Sequence, residues 1–323
     1  MTNFQVYKKT LSFSFLMFAV DVCLIIIFVG ICTAGFFIAD KINDMALIGL
    51  LIGFILGLIV AVAIKYLVSN RIKAAQIGMM TIGVTDNQLP EHVFKQGFAE
   101  VHGRFKKITL FFMVTNAIKN IFRRLGRAMT KFGEAVGGNV GGSIASVVDS
   151  AIQTLIGYLC DCCLGWVMYN KQKGVAKAAC EGTVIFFKKG KTLLTNVGRI
   201  FLMGIGSLVL IGGAFFGILY LIFSQLPGMF NTLASEIAEA AARGETDISD
   251  ALTNPTTLML IIAGVGAFII WNVIHSVLVR PFILTGVLRN YMEAGRSELI
   301  SEADFAELDN KSPKFAKLHH MDD

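Results

Sequence analysis

MALIGLLIGFILGLIVAVAI, from Met45 to Ile64, runs for 20 residues without a charge. A helix needs roughly 20 predominantly apolar residues to cross the hydrocarbon of a bilayer, and this stretch supplies them. Three further segments meet the same requirement. Leu11–Ile38 is interrupted only by Asp21, Ile200–Phe223 carries no charge, and Thr256–Val279 contains His275. The expected fold is therefore all-α: a polytopic membrane helix bundle, with re-entrant or interfacial helices between its firm spans.

Composition agrees. Of 323 residues, 54% are hydrophobic and 16% are charged, and the mean hydropathy is +0.65. A soluble domain carries about a quarter charged residues, so this chain has too little polar surface to cover its apolar side chains in water. Disorder and a disulfide-rich secreted scaffold are excluded on the same ground.

The net charge is +6, and it sits in blocks between the apolar runs. Membrane lipid with anionic headgroups is the expected counter-charge; nucleic acid is not an expected partner. Residues 69–107 carry Arg71, Lys73, Lys95, Arg104, Lys106 and Lys107, and residues 171–199 carry seven basic residues against Glu181 alone. Residues 225–255 carry five acids and only Arg243. The bias of Lys and Arg toward the cytoplasmic side places 225–255 outside and both termini in the cytoplasm, and the expected location is the cell membrane. The apolar run after Lys8 and Lys9 is too long for a cleavable leader and is expected to be retained.

Four regions follow: an N-terminal transmembrane hairpin at 1–68, a basic middle region at 69–199 with short or re-entrant helices, a C-terminal transmembrane hairpin with an outer loop helix at 200–295, and a cytoplasmic tail at 296–323. In the middle region, Ile108–Phe122 is apolar but short, and Ser143–Tyr169 is long enough to span yet carries Asp149 and Asp161. Full crossing by Ile108–Phe122 would put Arg123, Arg124 and Arg127 outside, so a re-entrant or interfacial placement is favoured. The glycines from Gly137 to Gly142 supply a break between the two pieces. In the outer loop, Gly228–Ala242 has helical periodicity, with apolar positions near Met229, Phe230, Leu233, Ile237 and Ala240 and a stop at Gly244. Pro281 is expected to interrupt or kink the last span. The polar tail after Gly295 is expected to be partly disordered.

Gly49, Gly53 and Gly57 fall on one face of the second span, and Gly213 and Gly217 repeat the spacing in the third. Such faces allow close helix approach, within the chain or in a homo-oligomer. Cys160 and Cys163 have C-x-x-C spacing, but no second ligand pair follows, so they are read as reduced thiols rather than a zinc site. His319 and His320 are too isolated in sequence to argue for a metal. The chain shows no nucleophile–base arrangement, no nucleotide loop and no cofactor fingerprint, and an enzyme is not expected.

Ionisable and polar groups inside spans are costly and mark functional surfaces. Asp21 lies in the first span, where it would bind a cation or proton or sit at the interface. Trp271, Asn272 and His275 lie near the end of the fourth, and Trp271 and His275, four residues apart, share a helix face. An aromatic and polar face suits a quaternary ammonium through cation–π attraction; it also suits an interfacial aromatic belt. Asp21, Trp271, Asn272 and His275 are the candidate substrate-binding residues.

Several stretches resemble the C-terminal part of the choline transporter-like family. They are Leu89-Pro90-Glu91-His92-Val93-Phe94 with His102-Gly103-Arg104, the run from Cys160 through Asp161, Cys162 and Cys163 to Trp166, residues 176–213, and residues 271–295. The resemblance covers about two-thirds of the chain. It implies a multi-pass transporter for a small organic solute, a quaternary amine among the candidates. The alternatives are a non-transporting scaffold or assembly factor that binds anionic lipid or a partner, and a channel-like homo-oligomer.

Overall fold

In the computed structural model, the described residues are 1–43, 46–104, 108–112, 115, 118–120, 142–242 and 253–321. Among them there is no strand, and the protein is an all-α helix bundle. In chain order the helices are α1 (Asn3–Asn43), α2 (Ala46–Ile64), α3 (Asn70–Thr85), α4 (Val93–Gly103), α5 (Gly142–Tyr169), α6 (Val175–Ser207), α7 (Gly213–Ser224), α8 (Pro227–Ala242), α9 (Pro255–Ile274), α10 (Arg280–Ser297), α11 (Glu302–Lys311) and α12 (Pro313–His319). Single π turns at Lys65–Ser69, Leu208–Gly212 and His275–Val279 join α2 to α3, α6 to α7, and α9 to α10 without ending the helix.

Among the described residues, four continuous stretches are long and apolar enough to cross a membrane: Asn3–Ala39, Ile48–Thr85, Leu202–Ser224 and Pro255–Ser297. Their apolar side chains are turned outward, among them Ile25 and Ile26 on α1, Leu51 and Ile59 on α2, Val209 and Leu210 in the third stretch, and Val265 and Ile269 on α9. Apolar exposure on this scale has no aqueous explanation; the surface belongs to a membrane.

The chain forms two compact units, one of residues 1–198 with 281–323 and one of residues 199–280. The first holds the larger core. Val6 and Phe13 of α1, Ile77, Met79 and Met80 of α3, Leu159 and Leu164 of α5, Val184 and Ile185 of α6, and Leu288, Tyr291 and Met292 of α10 are all buried in it. The second transmembrane stretch thus changes character along its length. α2 presents apolar side chains outward, and after the π turn α3 is buried from Ala74 through Thr81. The Cys160–Trp166 segment of α5 is likewise buried. Ile108, Phe111 and Ile118 are buried too. The Gly137–Gly141 break, the Arg123–Arg127 cluster, Asn116 and Gly244 lie outside the described residues, as does the Asp149 side chain.

Within the N-terminal hairpin the glycine face does what its spacing allows. A Cβ on Gly49 would collide with the Gly35 backbone oxygen, and one on Gly53 would lie 2.9 Å from the Ile31 oxygen. One on Gly57 would lie 2.9 Å from the Phe28 ring. The matching pair in the third span differs: a Cβ at Gly213 or Gly217 would meet nothing within 4 Å.

Helix ends follow local chemistry. Asn254 caps α9 by accepting from the Thr256 and Thr257 amides at 2.9 and 3.2 Å, with Pro255 in the first turn. α8 forms as its periodicity predicts, and Phe230 and Ala234 pack against Leu258 and Met259 of α9. Pro281 does not stop the last helix. It follows the π turn at His275–Val279, and that turn supplies the widened geometry a ring without an N–H needs inside a helix.

The tail is helical rather than disordered. Ser301 and Asp304 make a capping box at α11, and Ser312 caps α12 by accepting from the Phe315 amide at 3.3 Å, with Pro313 next in line. Phe305, Leu308, Phe315 and Leu318 are buried. Lys188 of α6 reaches Glu298 at 2.9 Å and Asp304 at 3.1 Å, and Lys311 lies over the Phe187 ring at 4.2 Å. Burial of four large side chains, each contributing about 1.5–3 kcal/mol, holds a segment whose polar composition suggests disorder.

Candidate functional site

The third and fourth spans meet in a polar and aromatic cluster inside the second unit. Trp271, on the last turn of α9, donates from its indole Nε1 to Ser207 Oγ at 3.2 Å. Ser207 in turn donates to the Gly204 carbonyl at 2.8 Å. The Trp271 ring lies 5.2 Å from the His275 ring and 5.3 Å from the Phe268 ring, inclined at 42° to each.

Both sides of this cluster abut a π turn. Ser207 immediately precedes the one at Leu208–Gly212, and His275 opens the one at His275–Val279. A π turn inserts a residue into the α register and turns the following side chains, and such insertions occur often at functional sites. Here two of them flank one hydrogen bond between neighbouring spans. Trp271 and His275 are half-buried, with the indole packed between the Phe268 and His275 rings.

The other two expected site residues are exposed on their helices. Asn272 is exposed on α9, on a different face from Trp271, and Asp21 is exposed on α1 in the first unit. Ser207 carries no sequence signal of its own; only the fold pairs it with Trp271.

Charge is concentrated in the first unit. Lys73 of α3 and Asp161 of α5 form an ion pair at 2.5 Å, with the Asp161 side chain 5% exposed. Glu181 is buried and accepts from Lys173 at 2.6 Å and from the Trp166 indole at 3.2 Å. An open groove of about 590 Å³ runs along α4, lined by His92, Lys95, Gln96 and Arg104. Its carboxylate, Glu100, is bridged by Arg104 and by Lys171, at 2.5 and 3.1 Å, so the groove presents mainly donors.

None of the six cysteines forms a disulfide. Cys160, Cys162, Cys163 and Cys180 are buried among apolar side chains. Cys163 Sγ lies 3.6 Å from the Tyr291 hydroxyl, which donates to the Gly182 carbonyl at 2.6 Å. No His or carboxylate joins Cys160 and Cys163 as a ligand set among the described residues.

Fold and surface together define an all-α protein with four stretches, among the described residues, long and apolar enough to cross a membrane. No protein family, no curated protein and no solved structure matches the chain.

Proposed function

We propose that the protein is a membrane transporter for a small organic solute and that the cluster of Trp271, His275, Phe268 and Ser207 is its recognition site, with a quaternary amine as the favoured chemistry. The observation that carries this reading is the 3.2 Å Trp271–Ser207 hydrogen bond between two spans, each interrupted by a π turn beside it. An aromatic face attracts an alkylated ammonium through the ring quadrupole, and a π turn is a point where a helix can change register without unfolding. The likeness of residues 271–295 to the final helix of choline transporter-like proteins supports the same assignment. Asn272 and Asp21 enter the proposal as separate polar groups at span surfaces, Asp21 as a cation or proton carrier.

The test is uptake of radiolabelled choline and tetramethylammonium by proteoliposomes containing the purified chain. Saturable uptake that Trp271→Ala removes and Ser207→Ala weakens supports the proposal. Absence of saturable uptake by the intact protein overturns it.

A second reading, a non-transporting scaffold or assembly factor, is favoured by one observation: Asp21 and Asn272 are exposed on apolar helices, where a partner helix could satisfy them. The open face at Gly213 and Gly217 suits such a partner or a second copy of this chain, the basis of a channel-like homo-oligomer. Anionic-lipid binding without uptake, in the same proteoliposomes, is the result that reading expects.

A further inference from the structure

We propose that Asp309, His319 and His320, at the end of the C-terminal helical hairpin, form a binding site for a divalent transition-metal ion, with zinc the ion that suits them best. The carboxylate and the first imidazole are ten positions apart in sequence. The turn at Ser312–Pro313 folds α12 back so that one ligand atom from each of the three residues lies within 4.8 Å of the others. His319 Nδ1 is 3.0 Å from Asp309 Oδ2, and His320 Nε2 is 3.6 Å from the same oxygen. Ligands bound tetrahedrally at zinc's usual distances of about 2.0–2.2 Å stand about 3.3 Å apart. Two edges of such a polyhedron are thus already formed.

A simple ion pair explains less. It accounts for His319 against Asp309 Oδ2, but not for a second imidazole turned to the same oxygen. Nor does it account for Asp309 Oδ1, which is buried without a hydrogen-bond partner among the described residues. A buried carboxylate oxygen with no donor is costly, and a cation held by both oxygens of Asp309 would satisfy it. The His319 ring is held in place from behind. Phe305 stacks on it at 4.6 Å and 12°, with Phe315 at 6.0 Å. Such packing fixes ring orientation before any ion arrives, as metal sites require.

The donor set selects the ion class. Two imidazoles and one carboxylate suit zinc and its neighbours in the first transition row, whereas calcium and magnesium call for oxygen. The His320 side chain is largely exposed, at 72%, so an ion can enter from solvent and take water as its remaining ligand. Bound there, it would pin α12 to α11 and reinforce the docking of both on α6 through Lys188 and Lys311.

The experiment uses the full chain in detergent, purified without a polyhistidine tag and stripped with chelator. Zinc is titrated against a competing fluorescent chelator, and cobalt binding is followed by visible absorption. The proposal expects one equivalent of zinc per chain, a cobalt spectrum of low coordination number, and a loss of affinity of at least about tenfold in both Asp309→Asn and His320→Gln. His320→Gln removes an exposed ring and should leave the thermal melt of the metal-free protein unchanged, which separates lost ligation from lost folding. No zinc binding by the intact chain, or unchanged affinity in either variant, overturns the proposal.

Discussion

Lys73 and Asp161 are 88 positions apart in sequence, and their charged atoms are 2.5 Å apart in the fold. The pair ties α3, the continuation of the second transmembrane stretch, to α5 in the core of the first unit. Asp161 is the buried partner, and its charge there depends on compensation. Removing one member of a buried pair typically costs about 3–5 kcal/mol because the other charge loses compensation. Lys73 is 30% exposed, which lowers the figure. Lys73→Met should destabilise the first unit by about 2–3 kcal/mol, and Lys73→Met with Asp161→Leu by less than Lys73→Met alone. Denaturation in mixed detergent checks this; a double variant weaker than the single would contradict it.

The two glycine faces should respond oppositely to a methyl group. At Gly49 the added Cβ collides with backbone of α1, which cannot swing aside as a side chain can. Gly49→Ala should therefore lower stability by about 1–3 kcal/mol, the usual range for overpacking. Gly213→Ala has free space and should leave the monomer's melting temperature unchanged or slightly raised, since alanine favours the helix by up to about 1 kcal/mol.

Phe230 fastens α8 to the start of α9, where it is 2% exposed. Phe230→Ala should cost about 3–5 kcal/mol of local stability. Amide exchange in residues 227–239 should accelerate sharply while the buried amides of α3 keep their protection. Equal acceleration in both places would mean that the two units do not melt separately.

Docking of the tail should depend on pH in a defined direction. Hydrogen bonds from Lys188 and Lys189 hold the Glu298 carboxyl below its ordinary range. Hydrogen bonds from Ser301, then Lys188, do the same for Asp304. Each group binds protons more weakly when docked than when released, so its contribution is full above the ordinary carboxylate range and is lost as pH falls through the lowered values. Lys188 is shifted the other way, upward, by Glu298 and Asp304, so its contribution persists until strongly alkaline pH. Protease protection of residues 302–319 should hold at neutrality and begin to fall below about pH 5. Lys188→Met should flatten that acid dependence.

Much of the fold is legible in the chain because a bilayer demands so much of a sequence. Met45–Ile64 needed only its length and lack of charge to be read as a span, and the Gly49–Gly53–Gly57 spacing foretold close packing. α8 could be read from the period of Phe230, Leu233 and Ile237. The tail could not. Its apolar residues are sparse, and Phe305, Leu308, Phe315 and Leu318 become a buried face only when α11 and α12 fold together. The caps at Ser301 and Ser312 were its one local sign.

The candidate site divides in the same way. Trp271 and His275 stand out because they are unusual in an apolar run, and helical geometry alone places them on one face. Their partner Ser207 is one small polar residue among many, and nothing short of the packing of the third span on the fourth identifies it. Composition and period, then, determined that this is an all-α membrane protein and where its apolar helices run, since those properties arise from solvent and from neighbours a few residues away. Tertiary structure alone decided which distant side chains meet: Lys73 with Asp161, Ser207 with Trp271, Asp309 with the two terminal imidazoles. Such contacts depend on how whole helices pack, and no local pattern in a chain encodes that.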